Sequence, residues 1–203
     1  MWRIVVWGDS ITRGAGDNYK WGWANRLDLY FTNNYIKDEW SVYSLWISGN
    51  TTEDLLVRFQ VECQARTPDV VLFAIGINDS AFINNNKTKV FVDIVKFEEN
   101  LNILIHQAKQ CSQKIWFVWL TKCVEFETIP VSWDNSICYD NENIKKYDKI
   151  IEKVAKENNL PYVWLFDILE DGLLPDGLHP DSVWHEKIAH SVKDFLFEKW
   201  FID

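Results

Sequence analysis

Residues 3–7, Arg3-Ile4-Val5-Val6-Trp7, form a short, nearly continuous apolar run that stops at Gly8-Asp9. A strand buried on both faces reads this way, because neither side of its pleat meets water. The same pattern recurs over residues 42–47, closed by Ser48-Gly49-Asn50, and over residues 69–75, closed by Gly76. Residues 114–120 and 162–166 supply a fourth and a fifth run.

Between these runs the apolar spacing changes to a helical period. Thr51 is placed to cap a helix with Asp54 in the box position, followed by Leu55, Phe59 and Cys63 on one face. Val90, Ile94, Phe97, Leu101, Leu104 and Ala108 repeat at intervals of four and three. Ile144, Tyr147, Ile151 and Val154 form another stripe, and Trp184, Ile188, Val192 and Phe195 a last one. Residues 22–31 carry a shorter stripe, with Trp23, Leu27 and Tyr30 or Phe31 facing inward. Strands alternating with helices of this length suit parallel pairing with helices on both faces. The pattern therefore predicts an α/β fold, a three-layer α/β/α sandwich with a five-stranded parallel sheet, in one domain over residues 1–203. Residues 121–140 are the least regular stretch, and long loops of that kind usually serve a site, so they are read as a rim or lid.

Composition agrees with a folded core: 47% of the 203 residues are apolar and 15% aromatic, with twelve Trp. Thirty acidic against 21 basic residues give a formal charge of −9, which opposes attraction to phosphate backbones or anionic lipid. Nucleic acid is thus not an expected partner, and no apolar run approaches the ~20 residues of a membrane span. Cys63, Cys111, Cys123 and Cys138 are widely spaced, and no signal-peptide pattern precedes the first strand, so reduced thiols and a cytoplasmic location are expected.

Open parallel sheets place ligands beyond the carboxyl ends of their strands. Four polar groups fall there: Gly8-Asp9-Ser10, Gly49-Asn50, Gly76-Ile77-Asn78-Asp79, and Asp176-Gly177-Leu178-His179-Pro180. A serine hydroxyl needs a base to take its proton, and a carboxylate to hold that base in the useful tautomer. Of four histidines, His106 falls in an amphipathic helix and His185 and His190 in the last helix, which leaves His179 in a turn. Asp176, three residues earlier, is placed to orient it, with Asp167 and Asp171 as alternatives. The backbone N–H groups of Ser10 and Gly49 and the side-chain amide of Asn78 are the expected donors to an oxyanion. No second histidine stands at a metal-ligand spacing, and residues 8–14 miss the dinucleotide fingerprint, so neither metal nor cofactor is expected.

In this combination and order, these blocks resemble the SGNH-hydrolase superfamily, the GDSL-like lipases and esterases. Gly8-Asp9-Ser10 is similar to its nucleophile block, Gly49 and Asn78 to its oxyanion positions, and Asp176 with His179-Pro180 to its acid and base. Ile11 stands where the family name implies leucine. The resemblance implies a flavodoxin-like SGNH-hydrolase fold and a serine esterase/acylhydrolase that cleaves a carboxylic ester with a short acyl group through an acyl-enzyme. An acylated carbohydrate is the finer expectation, with Trp21, Trp23 and Trp133 as substrate-lining residues. The alternative is a catalytically silent ligand-binding domain of the same fold.

Overall fold

The computed structural model describes residues 2–19, 21–35, 40–165 and 174–200. Its central sheet has five strands, β1 (Trp2–Gly8), β2 (Trp40–Trp46), β3 (Val70–Ala74), β6 (Lys114–Val118) and β8 (Tyr162–Val163), in the order β2-β1-β3-β6-β8. Every pairing in it is parallel. This is the flavodoxin-like order, in which the strand order reverses between β1 and β3, where such folds open a crevice.

Alternation along the strands explains the layers. Val5 and Trp7 of β1, Val71 and Phe73 of β3, and Ile115 and Phe117 of β6 share one core cluster. It is closed by α3 (Thr52–Arg66), α4 (Ile94–Ala108) and α6 (Asn141–Glu157). Ile4 and Val6, Val70 and Leu72, and Trp116 and Val118 point the other way, toward α2 (Gly22–Asn34) and α7 (Ser182–Trp200). A strand buried on both faces has no polar alternation to show, and complete burial of each such side chain is worth about 1.5–3 kcal/mol. The expected capping box is present, with the Thr51 side chain accepting from the Asp54 N–H and the Asp54 carboxylate accepting from the Thr51 N–H.

Two features depart from the sequence pattern. A small antiparallel sheet, in the order β5-β4-β7, joins β4 (Phe82–Ile83), β5 (Asn86–Val90) and β7 (Ile137–Cys138). Val90 ends β5 rather than starting the long helix, which begins after Asp93, whose carboxylate accepts from the Val95 N–H. The segment read as rim or lid is also more ordered than its composition suggests. It holds α5 (Glu125–Thr128) and β7, and backbone bonds tie Val124 N–H to the Gly177 carbonyl and Asn84 N–H to the Ser136 carbonyl. The four-residue helix α1 (Ser10–Arg13) follows β1 directly. All four cysteines are free thiols.

Candidate active site

The carboxyl end of β1 delivers Asp9 and Ser10. Asp9 caps α1 by accepting from the Ile11 N–H at 2.9 Å, which places Ser10 in the first turn. First-turn amides have no partner inside their helix, so the Ser10 N–H is left available to the cleft. Burial raises the Asp9 pKa to about 6, against the opposing pull of the Ile11 N–H and of His179.

The turn before α7 delivers the base. The Asp176 Oδ1 accepts from the N–H groups of Leu178 at 3.1 Å and His179 at 2.8 Å, folding the chain so that the imidazole faces its own carboxylate. His179 Nδ1 and Asp176 Oδ2 are 2.7 Å apart, and His179 Nε2 and Ser10 Oγ are 2.8 Å apart. Burial opposes ionisation of Asp176, yet the hydrogen bonds from the His179 ring and from the His179 and Leu178 backbone outweigh it and hold its pKa below the usual carboxylate value. An ionised carboxylate only accepts, so Nδ1 carries the proton and Nε2 is left to accept from the Ser10 hydroxyl. The relay is thus oriented for removing a proton from Ser10.

The ends of β2 and β3 complete the cleft. Gly49 adopts a φ of +81° in the turn after β2, the left-handed region that favours glycine, and a Cβ there would meet nothing within 4 Å. Its glycine therefore serves the turn, and the open side faces the cleft. Asn78 is 4% exposed, and its Nδ2 donates to the Asn50 carbonyl at 3.0 Å. The neighbouring Asp79 carboxylate accepts from the Thr52 N–H and hydroxyl, joining the β3 turn to the start of α3. Burial lifts the Asp79 pKa to about 7 despite those bonds.

Ser10, Gly49, Asn78, Asp176, His179 and Trp133 all line one cleft of about 410 Å³. The Trp133 and His179 rings lie 5.3 Å apart between centroids. Trp21 and Trp23 do not share this place, which corrects the expectation that they line substrate. Trp23 is 1% exposed on the inward face of α2, packed with Leu27 and Ile188 under the sheet, as its helical spacing required. Trp21 precedes that helix in a left-handed conformation (φ 62°) that turns it out to solvent, 76% exposed. Asp167 and Asp171, the alternative orienting carboxylates, lie outside the described residues. Tyr139 was not foreseen from the residues, and Asp79 was read only as part of the polar group after the third strand, with no role of its own. The only signal for Asp79 was its place beside Asn78, and for Tyr139 there was none, because its contact with Asn78 spans 61 positions.

A parallel α/β/α sheet with a Ser-His-Asp hydrogen-bond relay at its carboxyl edge is the arrangement that nucleophilic acyl transfer by a serine requires. The chain belongs to the GDSL-like Lipase/Acylhydrolase family, whose model matches residues 6–187. Similar solved structures include a lipase/acylhydrolase from Enterococcus faecalis, with a TM-score of 0.79 and 24% identity over 98% of this chain and 97% of that one. An acetyl-xylooligosaccharide esterase from Geobacillus stearothermophilus is similar at a TM-score of 0.75 and 23% identity, over 97% of this chain and 93% of that one. Among curated proteins, an uncharacterized Bacillus subtilis lipoprotein, YqeF, is 30% identical over 112 residues, 53% of this chain and 43% of that protein. The chain thus spans less than half the length of the curated relative it matches. Among the described residues, no helix is long and apolar enough to cross a membrane.

Proposed function

We propose that this chain is a serine esterase that cleaves a short-acyl carboxylic ester through a covalent acyl-enzyme. The observation that carries the reading is the continuous relay from Asp176 through His179 to Ser10, with separations of 2.7 and 2.8 Å. Ser10 Oγ attacks the ester carbonyl carbon while its proton passes to His179 Nε2. The charge that forms on the carbonyl oxygen is met by the N–H groups of Ser10 and Gly49 and by the Asn78 amide. Donors fixed in advance stabilise such charge without reorganising, and losing one costs roughly 3 kcal/mol of barrier. The carbon–alkoxy bond then breaks, and the imidazolium protonates the departing alcohol. Water repeats the attack on the acyl-Ser10 ester, with His179 again taking and returning a proton, and the acid leaves.

The finer reading is an acyl group carried on a carbohydrate. It is supported by half-exposed aromatic surface at the mouth, Trp133 at 49% and Phe91 at 36%, which gives a sugar ring a flat apolar face to lie on. The similarity to the acetyl-xylooligosaccharide esterase points the same way. Two measurements test the proposal. Labelling by a fluorophosphonate is expected in the wild type and absent in Ser10→Ala. The value of kcat/KM is expected to fall from p-nitrophenyl acetate to the decanoate, and to be higher for acetylated xylooligosaccharides than for simple alkyl acetates. Absence of both labelling and turnover selects the silent binding domain instead, and a flat response to acyl length removes the short-acyl reading.

A further inference from the structure

The Tyr139 hydroxyl donates to Asn78 Oδ1 at 2.8 Å, and both side chains are buried, at 4% exposure each. The two ends of the Asn78 amide are distinguished by their neighbours. Nδ2 stands 3.0 Å from the Asn50 carbonyl oxygen, which only accepts, so the amino end must be on that side and the carbonyl end must face Tyr139. One amino proton is used on Asn50, and the other is left for the cleft that Asn78 lines.

We propose that Tyr139 is a positioning residue for the reaction, fixing the Asn78 amide so that its free N–H faces the forming oxyanion. The proposal rests on the esterase reading above. Three observations support it. The phenol belongs to a different part of the chain from Asn78, immediately after β7, and its own backbone is pinned on both sides. The Tyr139 N–H donates to the Thr128 carbonyl at 2.9 Å, and the Tyr139 carbonyl accepts from the Thr128 hydroxyl at 2.9 Å. A tyrosine held at both backbone groups presents its hydroxyl at a fixed point. Burial, and then the nearby carboxylates of Asp9 and Asp79, push the Tyr139 phenol well above its ordinary pKa, so the oxygen keeps the proton it donates. Finally, a hydrogen bond accepted at an amide oxygen polarises the same amide's N–H groups, since linked bonds in a poorly solvated site reinforce one another. Tyr139 therefore orients the Asn78 donor and strengthens it through the amide oxygen.

The test is a double-mutant cycle with Tyr139→Phe, which removes one oxygen atom, and Asn78→Ala. Tyr139→Phe is expected to lower kcat on p-nitrophenyl acetate about 10-fold, a fraction of the loss on deleting a donor outright, with KM changed less than about 2-fold. In the Asn78→Ala background the same substitution is expected to change kcat by less than about 2-fold, because the amide it positions is gone. A purely structural phenol would instead lower kcat equally in both backgrounds. A second readout does not depend on turnover: in ¹⁵N spectra, the Asn78 side-chain amide protons exchange slowly with solvent in the wild type and faster in Tyr139→Phe. Wild-type kcat in Tyr139→Phe, equal losses in the two backgrounds, or unchanged amide exchange each overturn the proposal. A wild-type chain without ester turnover removes the esterase reading, and the amide exchange then decides for or against Tyr139 on its own.

Discussion

Gly16 and Pro180 meet so closely that a Cβ on Gly16 would lie 2.3 Å from the Pro180 carbonyl oxygen. Gly16 also has a φ of +86°, where side chains are strained. The loop after the candidate nucleophile and the turn that carries His179 are therefore packed backbone against backbone. His185 reinforces the contact, being fully buried with Nε2 at 3.1 Å from the Ala15 carbonyl. Gly16→Ala is expected to push the His179 turn away from Ser10 and lower kcat at least 10-fold, with a loss of about 1–3 kcal/mol in stability. Steady-state kinetics beside urea unfolding check this. Unchanged values in both would show that the two segments do not set each other's position.

Asp176→Asn tests the tautomer argument. An amide can donate as well as accept at His179 Nδ1, so it no longer forces the proton onto that nitrogen. A drop in kcat of about 10²–10⁴-fold is expected, with the fold intact by circular dichroism. Activity within a few-fold of wild type would show that the ring is oriented by something else.

Asp79 predicts a pH dependence of stability. Its folded pKa, about 7, lies above the unfolded value near 3.8. A raised folded pKa means that the folded state binds the proton more tightly. The resulting stabilisation is complete below the unfolded pKa and disappears as pH rises through 7. Asp79→Asn keeps an acceptor for Thr52 and cannot ionise. The melting temperature of the wild type should therefore fall relative to the variant between pH 4 and 8, by roughly 2–4 °C for each kcal/mol involved. A difference in Tm that stays constant over that range contradicts the shift.

A buried ion pair ties the loop after α1 to α2 and to the start of α7. Arg26 Nη2 lies 2.8 Å from Asp17 Oδ2, with side-chain exposures of 7% and 0%, and also donates to the Ser182 hydroxyl at 2.7 Å. The same carboxylate accepts from the Gly22 N–H at 3.0 Å. Removing the cation strands a charge in the interior, so Arg26→Ala is expected to cost about 3–5 kcal/mol. Arg26→Ala together with Asp17→Ala should be less damaging than Arg26→Ala alone. Denaturant midpoints decide it, and a double variant that is worse by the sum of both single losses would deny the coupling.

Much of this was legible in the residues, for reasons that differ from element to element. The five parallel strands stood out because burial on both faces strips them of polar positions, as in residues 4–7. Ser10, Gly49 and Asn78 were legible as candidates because parallel strands deliver their carboxyl ends to one edge, whereas His179 stood out by its place in a turn ahead of the last helix. The small sheet was not, since β5 reads Asn86-Lys87-Thr88-Lys89-Val90, mostly exposed, and β4 and β7 have two residues each. Segments that short carry no period, and Val90 fell by chance into the register of the helix that follows. Trp23 was legible as an inward-facing residue from its helical spacing, and the same spacing excluded it from the cleft.

The small antiparallel sheet divides the labour of the molecule. Ser10 and Gly49 hang from the parallel core, whereas Phe91, Ile137 and Tyr139 arrive on or beside strands that the core does not share. An insertion or replacement confined to that appendage would recontour the entrance while leaving the proton relay in place. Diversification of substrate choice in this architecture then spares Ser10, His179 and Asp176, provided that Tyr139 keeps its bond to Asn78.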